Sequence, residues 1–136
     1  MLIPADVRRQ LDPERDGEAF FVISGTDGRL CLYPERHYEA LVSRDLTELT
    51  PDLDKLAYDR MTLGMASRIE WDKQGRVLFE QRVLKRVGIG KEVTLVGCND
   101  HLELWPRAEW EAEREALEAR RQELALKARQ ARQTPQ

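Results

Sequence analysis

Asp72-Lys73-Gln74-Gly75-Arg76 brings an acid, two bases and a glycine into one tight turn, the densest set of recognition-capable residues in the chain. An Asp and a Gly around such a turn hold the chain in a hairpin, and Arg76 leaves it pointing outward. Taken alone, the same spacing also spells an ordinary β-turn with solvated charges, and spacing favours that plainer reading. Gly88-Ile89-Gly90-Lys91-Glu92 hints at a phosphate loop. However, Lys85 stands where the first Gly belongs and Glu92 where the Ser or Thr belongs, so it reads as a helix end and strand entry. Cys31 and Cys98 lie in or beside apolar runs without a Cys-x-x-Cys or a nearby histidine, which makes them small buried hydrophobes. His37 and His101 fall at non-equivalent places and read as surface histidines. Trp71, Trp105, Trp110, Tyr33 and Tyr38 alternate with apolar residues and read as core or subunit contacts. No catalytic residue, metal-ligand set, cofactor or small-molecule substrate is expected, and the chain does not read as an enzyme.

The elements that must position the turn come from an internal duplication. Ile23 to Tyr38 and Leu95 to Trp110 overlay at constant offset, matching Gly25 with Gly97, Asp27 with Asn99, Leu30 and Leu32 with Leu102 and Leu104, and Tyr33-Pro34 with Trp105-Pro106. Such a repeat predicts one unit built twice. Within each unit two β-favouring runs flank a turn, Ala19–Ile23 with Leu30–Tyr33 and Val93–Val96 with Leu102–Trp105, and each pair predicts a hairpin. Pro34 and Pro106 suit the first turn of a following helix, through Tyr38, Leu41 and Val42 in the first copy and from Arg107 onward in the second. Ahead of each hairpin, Leu2–Leu11 and Leu78–Val87 match as a strand end running into a short helix. Asp12–Gly17 is read as a polar loop. In the second copy Ser67–Trp71 and Arg76–Phe79 form strands on either side of the Asp72 turn; the matching first strand of copy one would precede Met1. Between the copies, Thr50-Pro51-Asp52 starts a helix through Leu53, Leu56, Ala57, Met61 and Leu63. After Trp110 the tail is a solvated helix that frays after about Ala128. Its seven-residue column Trp110, Leu117, Leu124 is too thin for a coiled coil.

Bulk composition sets the limits. The 136 residues are 41% hydrophobic and 35% charged with a net charge of -3, enough for one compact core without a global basic signal. Between Arg68 and Lys91, however, seven positive residues face three negative ones, and a local excess of that size can form a patch. The chain shows no signal peptide and no run of the roughly 20 apolar residues a membrane helix needs, so a cytoplasmic protein is expected.

The segment Arg68-Ile69-Glu70-Trp71-Asp72-Lys73-Gln74-Gly75-Arg76-Val77-Leu78, followed by Val93–Gly97 and Leu102–Pro106, resembles the second half of the MraZ family. Leu2–Arg8 and Gly28–Pro34 resemble its first half, so the likeness covers residues 1 to about 112. It implies an α+β fold of tandem, pseudo-symmetric AbrB-like swapped-hairpin β-barrel halves with short helices and a long C-terminal helix. The corresponding layout is a first repeat at 1–49, a helical connection at 50–66, a second repeat at 67–112 and a helical tail at 113–136. The resemblance also implies a nucleoid-associated transcriptional regulator that forms a homo-oligomeric ring and binds promoter direct repeats through Asp-x-x-x-Arg turns. Carried over, Arg76, Lys73 and Arg68 contact DNA, Asp72 orients the turn, and Arg82 and Lys85 add an electrostatic fringe. The chain departs from the family where the first-half Asp-x-x-x-Arg turn should stand, where Phe79-Glu80 replaces Ile-Pro, and where Leu84 takes an expected Arg. Met1 is therefore expected to be an internal methionine of a longer protein. The alternative function is an oligomeric scaffold that has lost efficient DNA binding and meets a protein partner through the tail.

Overall fold

The computed structural model describes residues 5–44, 49, 52–72, 74, 76–86, 88–90 and 92–133. The elements run α1 (Ala5–Gln10), α2 (Pro13–Asp16), β1 (Ala19–Ser24), β2 (Leu30–Pro34), α3 (Glu35–Arg44), α4 (Leu53–Thr62), β3 (Ser67–Glu70), α5 (Gln81–Arg86), β4 (Val93–Cys98), β5 (His101–Pro106), α6 (Arg107–Ala119) and α7 (Arg121–Gln133). Among the described residues the strands form one open antiparallel sheet in the order β3-β1-β2-β5-β4. The fold is thus α+β. The repeats do not form separate sheets: β2 pairs with β5 across the seam, and β3 of the second copy pairs with β1 of the first.

Strand alternation divides the sheet into two faces. One carries Phe20, Val22, Leu30, Leu32, Leu102 and Leu104, which join Val77, Phe79 and Ile89 in the buried core. Phe20, Leu32 and Leu104 are essentially sealed from water, and burial of each stabilises the fold by roughly 2–3 kcal/mol. Phe20 also meets the Trp71 ring at 4.7 Å. The opposite face is covered by helices: Tyr38 of α3 stacks on Phe21 at 4.2 Å, and Trp110 of α6 meets Trp105 edge-on at 5.3 Å. Arg29 fastens α6 further, its guanidinium lying 4.0 Å over the Trp105 ring and bonding to Glu109.

Local chemistry explains most boundaries. Gly28 takes φ 84 in the first hairpin turn and Asn99 takes φ 61 in the second, where an Asn tolerates the left-handed conformation best among non-glycines. Asp52 caps α4 by accepting from the Lys55 amide at 2.7 Å. The hairpins, α1, α3, α4 and α5 lie where the sequence predicts them.

Four expectations are corrected. Pro34 and Pro106 end strands β2 and β5, and their helices begin one residue later, because each proline is still paired in the ladder, Pro34 with Phe20 and Pro106 with Val93. Asp12–Gly17 is not a plain loop: Asp12 caps the one-turn helix α2, which buries Asp16. Beyond a lone bridge at Arg76, the return arm to Phe79 is irregular backbone, although Val77 and Phe79 still enter the core. The tail stays helical to Gln133, with a break at Arg120 whose amide bonds to the Leu117 carbonyl, and does not fray at Ala128. No helix among the described residues is long and apolar enough to cross a membrane.

Candidate nucleic-acid interface

Asp72 organises the turn as its residue type demands. One carboxylate oxygen accepts from the amides of Gln74 and Arg76, both at 2.9 Å, while the other accepts from Arg76 Nε at 3.0 Å. The Asp72 amide closes the loop by donating to the Arg76 carbonyl at 2.9 Å. A short side-chain acceptor at the first turn position, two amides downstream and a cation four residues on form a self-contained clamp. The Arg76 amide bond, with the Gln74 amide and the guanidinium adding to it, holds the Asp72 carboxyl below its ordinary value. Arg76 remains 57% exposed despite the ion pair.

A residue the sequence reading did not single out supports the turn from outside. Arg8, at the end of α1, donates from Nη1 to the Gln74 carbonyl at 2.9 Å. The first repeat thereby braces the Asp72 turn of the second. The signal was faint, since Arg8 aligns with Leu84 in the repeat and carries no local motif.

The other named residues divide by partner. Arg68 on β3 bonds through Nε to Glu35 at 2.9 Å and through Nη1 to Glu70 at 2.8 Å, and the Glu35 bond raises its pKa most. Its charge is spent joining β3 to the start of α3. Arg82 pairs with Glu80 at 2.7 Å, with both side chains largely exposed. Lys85 is exposed in the last turn of α5. Lys73 lies outside the described residues. The structure therefore brings Asp72 and Arg76 together, keeps Lys85 and Arg82 on exposed helix surface, and ties Arg68 elsewhere.

The histidines and cysteines also have defined places. His37 Nε2 meets the buried Asp16 carboxylate at 2.9 Å, which also accepts from the Asp12 amide at 2.8 Å and from Arg15. Burial works against that ionised carboxylate, but the bonds from Arg15, Asp12 and His37 together bring its pKa below the ordinary value. Burial, assisted by Glu103 and Asp27, pushes the Cys31 thiol up to about 12, and burial pushes Cys98 up to about 11.

A duplicated hairpin-helix unit on a shared antiparallel sheet, with an Asp-gripped arginine turn at the sheet margin, defines a tandem-repeat α+β protein with an exposed cationic turn. The comparisons agree with that class. Residues 62–134 match the family profile described as "MraZ protein, putative antitoxin-like". Relatives named "Transcriptional regulator MraZ" include that of Clostridium tetani, 31% identical over 82% of this chain and 75% of its own length. That of Chromobacterium violaceum is 33% identical over 83% and 76% of the two chains, and that of Thermomicrobium roseum 31% over 84% and 83%. The chain belongs to the MraZ family.

Proposed function

We propose that the protein is a sequence-specific DNA-binding transcriptional regulator that acts as a ring-forming oligomer on repeated promoter elements. The carrying observation is the Asp72 clamp on Arg76. Asp72 engages the guanidinium through Nε, which directs the remaining donors at a phosphate oxygen or base edge. The names of the relatives as transcriptional regulators support the regulatory role. The pairing of β3 with the other repeat supports the swapped-hairpin arrangement.

In this reading Arg76 and Lys73 make the contact, Lys85 and Arg82 add long-range attraction, and Arg68 holds the sheet to α3. A single arginine turn binds weakly, so copies arranged on a ring supply avidity when target elements repeat at matching intervals. DNA places the protein at the nucleoid. The test is a gel-shift series against the region upstream of its own gene at several salt concentrations. Steep loss of binding with salt supports the reading, and Arg76→Ala should remove the shift while the oligomer survives on a sizing column. An exposed apolar stretch on α3 and α4, with Leu41, Val42 and Met61, favours the second reading of a protein scaffold. No shift at the lowest salt would favour it.

A further inference from the structure

Strand register brings Cys31 of the first repeat onto one face of the sheet with Cys98, His101 and Glu103 of the second. Cys31 pairs with Glu103 across β2 and β5, and Cys98 pairs with His101 across β5 and β4. His101 and Glu103 are two residues apart on one strand, so their side chains share that face, opposite the leucine core. One ligand atom from each of Cys31, His101 and Glu103 lies within 4.8 Å of the others. We propose that Cys31, His101 and Glu103 form a binding site for a zinc-class divalent ion, at the seam where the two repeats join.

The surroundings prepare these side chains for a cation. His101 Nδ1 lies 2.8 Å from the Asp100 carboxylate, which leaves Nε2 turned toward Glu103. A carboxylate behind a ligating imidazole fixes its tautomer and orientation. Trp105 Nε1 donates to Glu103 Oε1 at 3.0 Å, which occupies one oxygen and aims the other inward. His101 Nε2 and Glu103 Oε2 then face each other at 3.7 Å, too far for a hydrogen bond. The Tyr33 ring, stacked on His101 at 4.7 Å, fixes the imidazole plane.

Ligand chemistry selects the metal. A thiolate, an imidazole and a carboxylate suit zinc or cobalt rather than magnesium or calcium, which take oxygen ligands. Tetrahedral zinc with bonds of about 2.0–2.3 Å needs its ligand atoms about 3.3–3.8 Å apart, so the present cluster must contract by roughly 1 Å. The fourth position falls to water, which leaves Cys31 as the one sulfur ligand. Sequence spacing hides the site because β2 and β5 come from different repeats and only the sheet unites them. A bound ion would clamp those two strands together.

The experiment titrates the full chain, purified under reducing conditions, with cobalt(II) and then zinc(II). The expected result is one equivalent per chain with a thiolate-to-cobalt charge-transfer band, displaced by zinc. Cys31→Ser should abolish the band, His101→Gln should weaken binding at least tenfold, and Asp100→Asn should weaken it about 10–100-fold through the imidazole. Circular dichroism shows whether each variant remains folded, and Cys31→Ser nearly preserves side-chain volume. Absence of stoichiometric binding in the wild type, or a band kept by Cys31→Ser and lost by Cys98→Ser, would overturn the assignment.

Discussion

Replacing Asp72 with Ala pits two opposing effects against each other at the proposed DNA contact. The carboxylate is negative and sits beside the arginine proposed to meet a phosphate, so removing it relieves repulsion. Across about 7 Å of water that repulsion is about 0.6 kcal/mol, and roughly half of it survives screening at physiological salt. Against this, the substitution deletes three bonds: those from the Gln74 and Arg76 amides and from Arg76 Nε. Charged hydrogen bonds are worth about 1.5–3 kcal/mol where shielded and about 0.2–1 kcal/mol where exposed. The three bonds together outweigh that screened repulsion, mostly through lost order of the turn and of Arg76. Orientation therefore wins, and Asp72→Ala should weaken binding about 3–15-fold per contact once the relieved repulsion is subtracted. Fluorescence anisotropy on a single-element duplex, which avoids amplification by the ring, should be run on Asp72→Ala, Arg76→Ala and the double variant. If Asp72 acts through Arg76, the double variant binds no worse than Arg76→Ala. Tighter binding by Asp72→Ala would refute the orienting role.

The remaining predictions concern stability and charge. Phe20→Ala empties a sealed position between Trp71 and the leucine layer and should cost about 3–5 kcal/mol, read from urea midpoints. Asp16→Ala strands the donors of Asp12, Arg15 and His37 and should cost about 1–3 kcal/mol by the same measurement. Asp16 and Asp72 are both held below their unfolded pKa values, so their stabilisation is present above about pH 4 and is lost as pH falls through the folded values. Thermal melts from pH 7 to 3 should show that acid loss, reduced in Asp16→Asn. Arg68→Ala should change DNA affinity less than about threefold, because its guanidinium already serves Glu35 and Glu70; an effect equal to that of Arg76→Ala would return Arg68 to the interface.

Strand and helix positions were legible because alternation and punctuation are local: Phe20, Val22, Leu30 and Leu32 announce a buried face, and Asp52 announces a cap. The Asp72-Arg76 pair was legible for the same reason, as its bonds stay within five residues. What escaped depends on pairings distant in sequence. Arg8 reaches Gln74 across 66 positions, and Arg68 finds Glu35 across 33. Cys31 and Glu103 are neighbours only through the β2–β5 register. Asp16 escaped differently: a carboxylate in a polar stretch reads as solvated, and only the donors of Arg15, Asp12 and His37 make its burial tolerable.

The most direct measurement compares wild type and Arg76→Ala for binding to the upstream region of the protein's own gene across a salt series. The account predicts a linear fall of log affinity with log salt for the wild type. It also predicts at least a tenfold weaker, shallower response for Arg76→Ala, with an unchanged circular dichroism spectrum. Equal binding by the two proteins, or none by the wild type at the lowest salt, would contradict it.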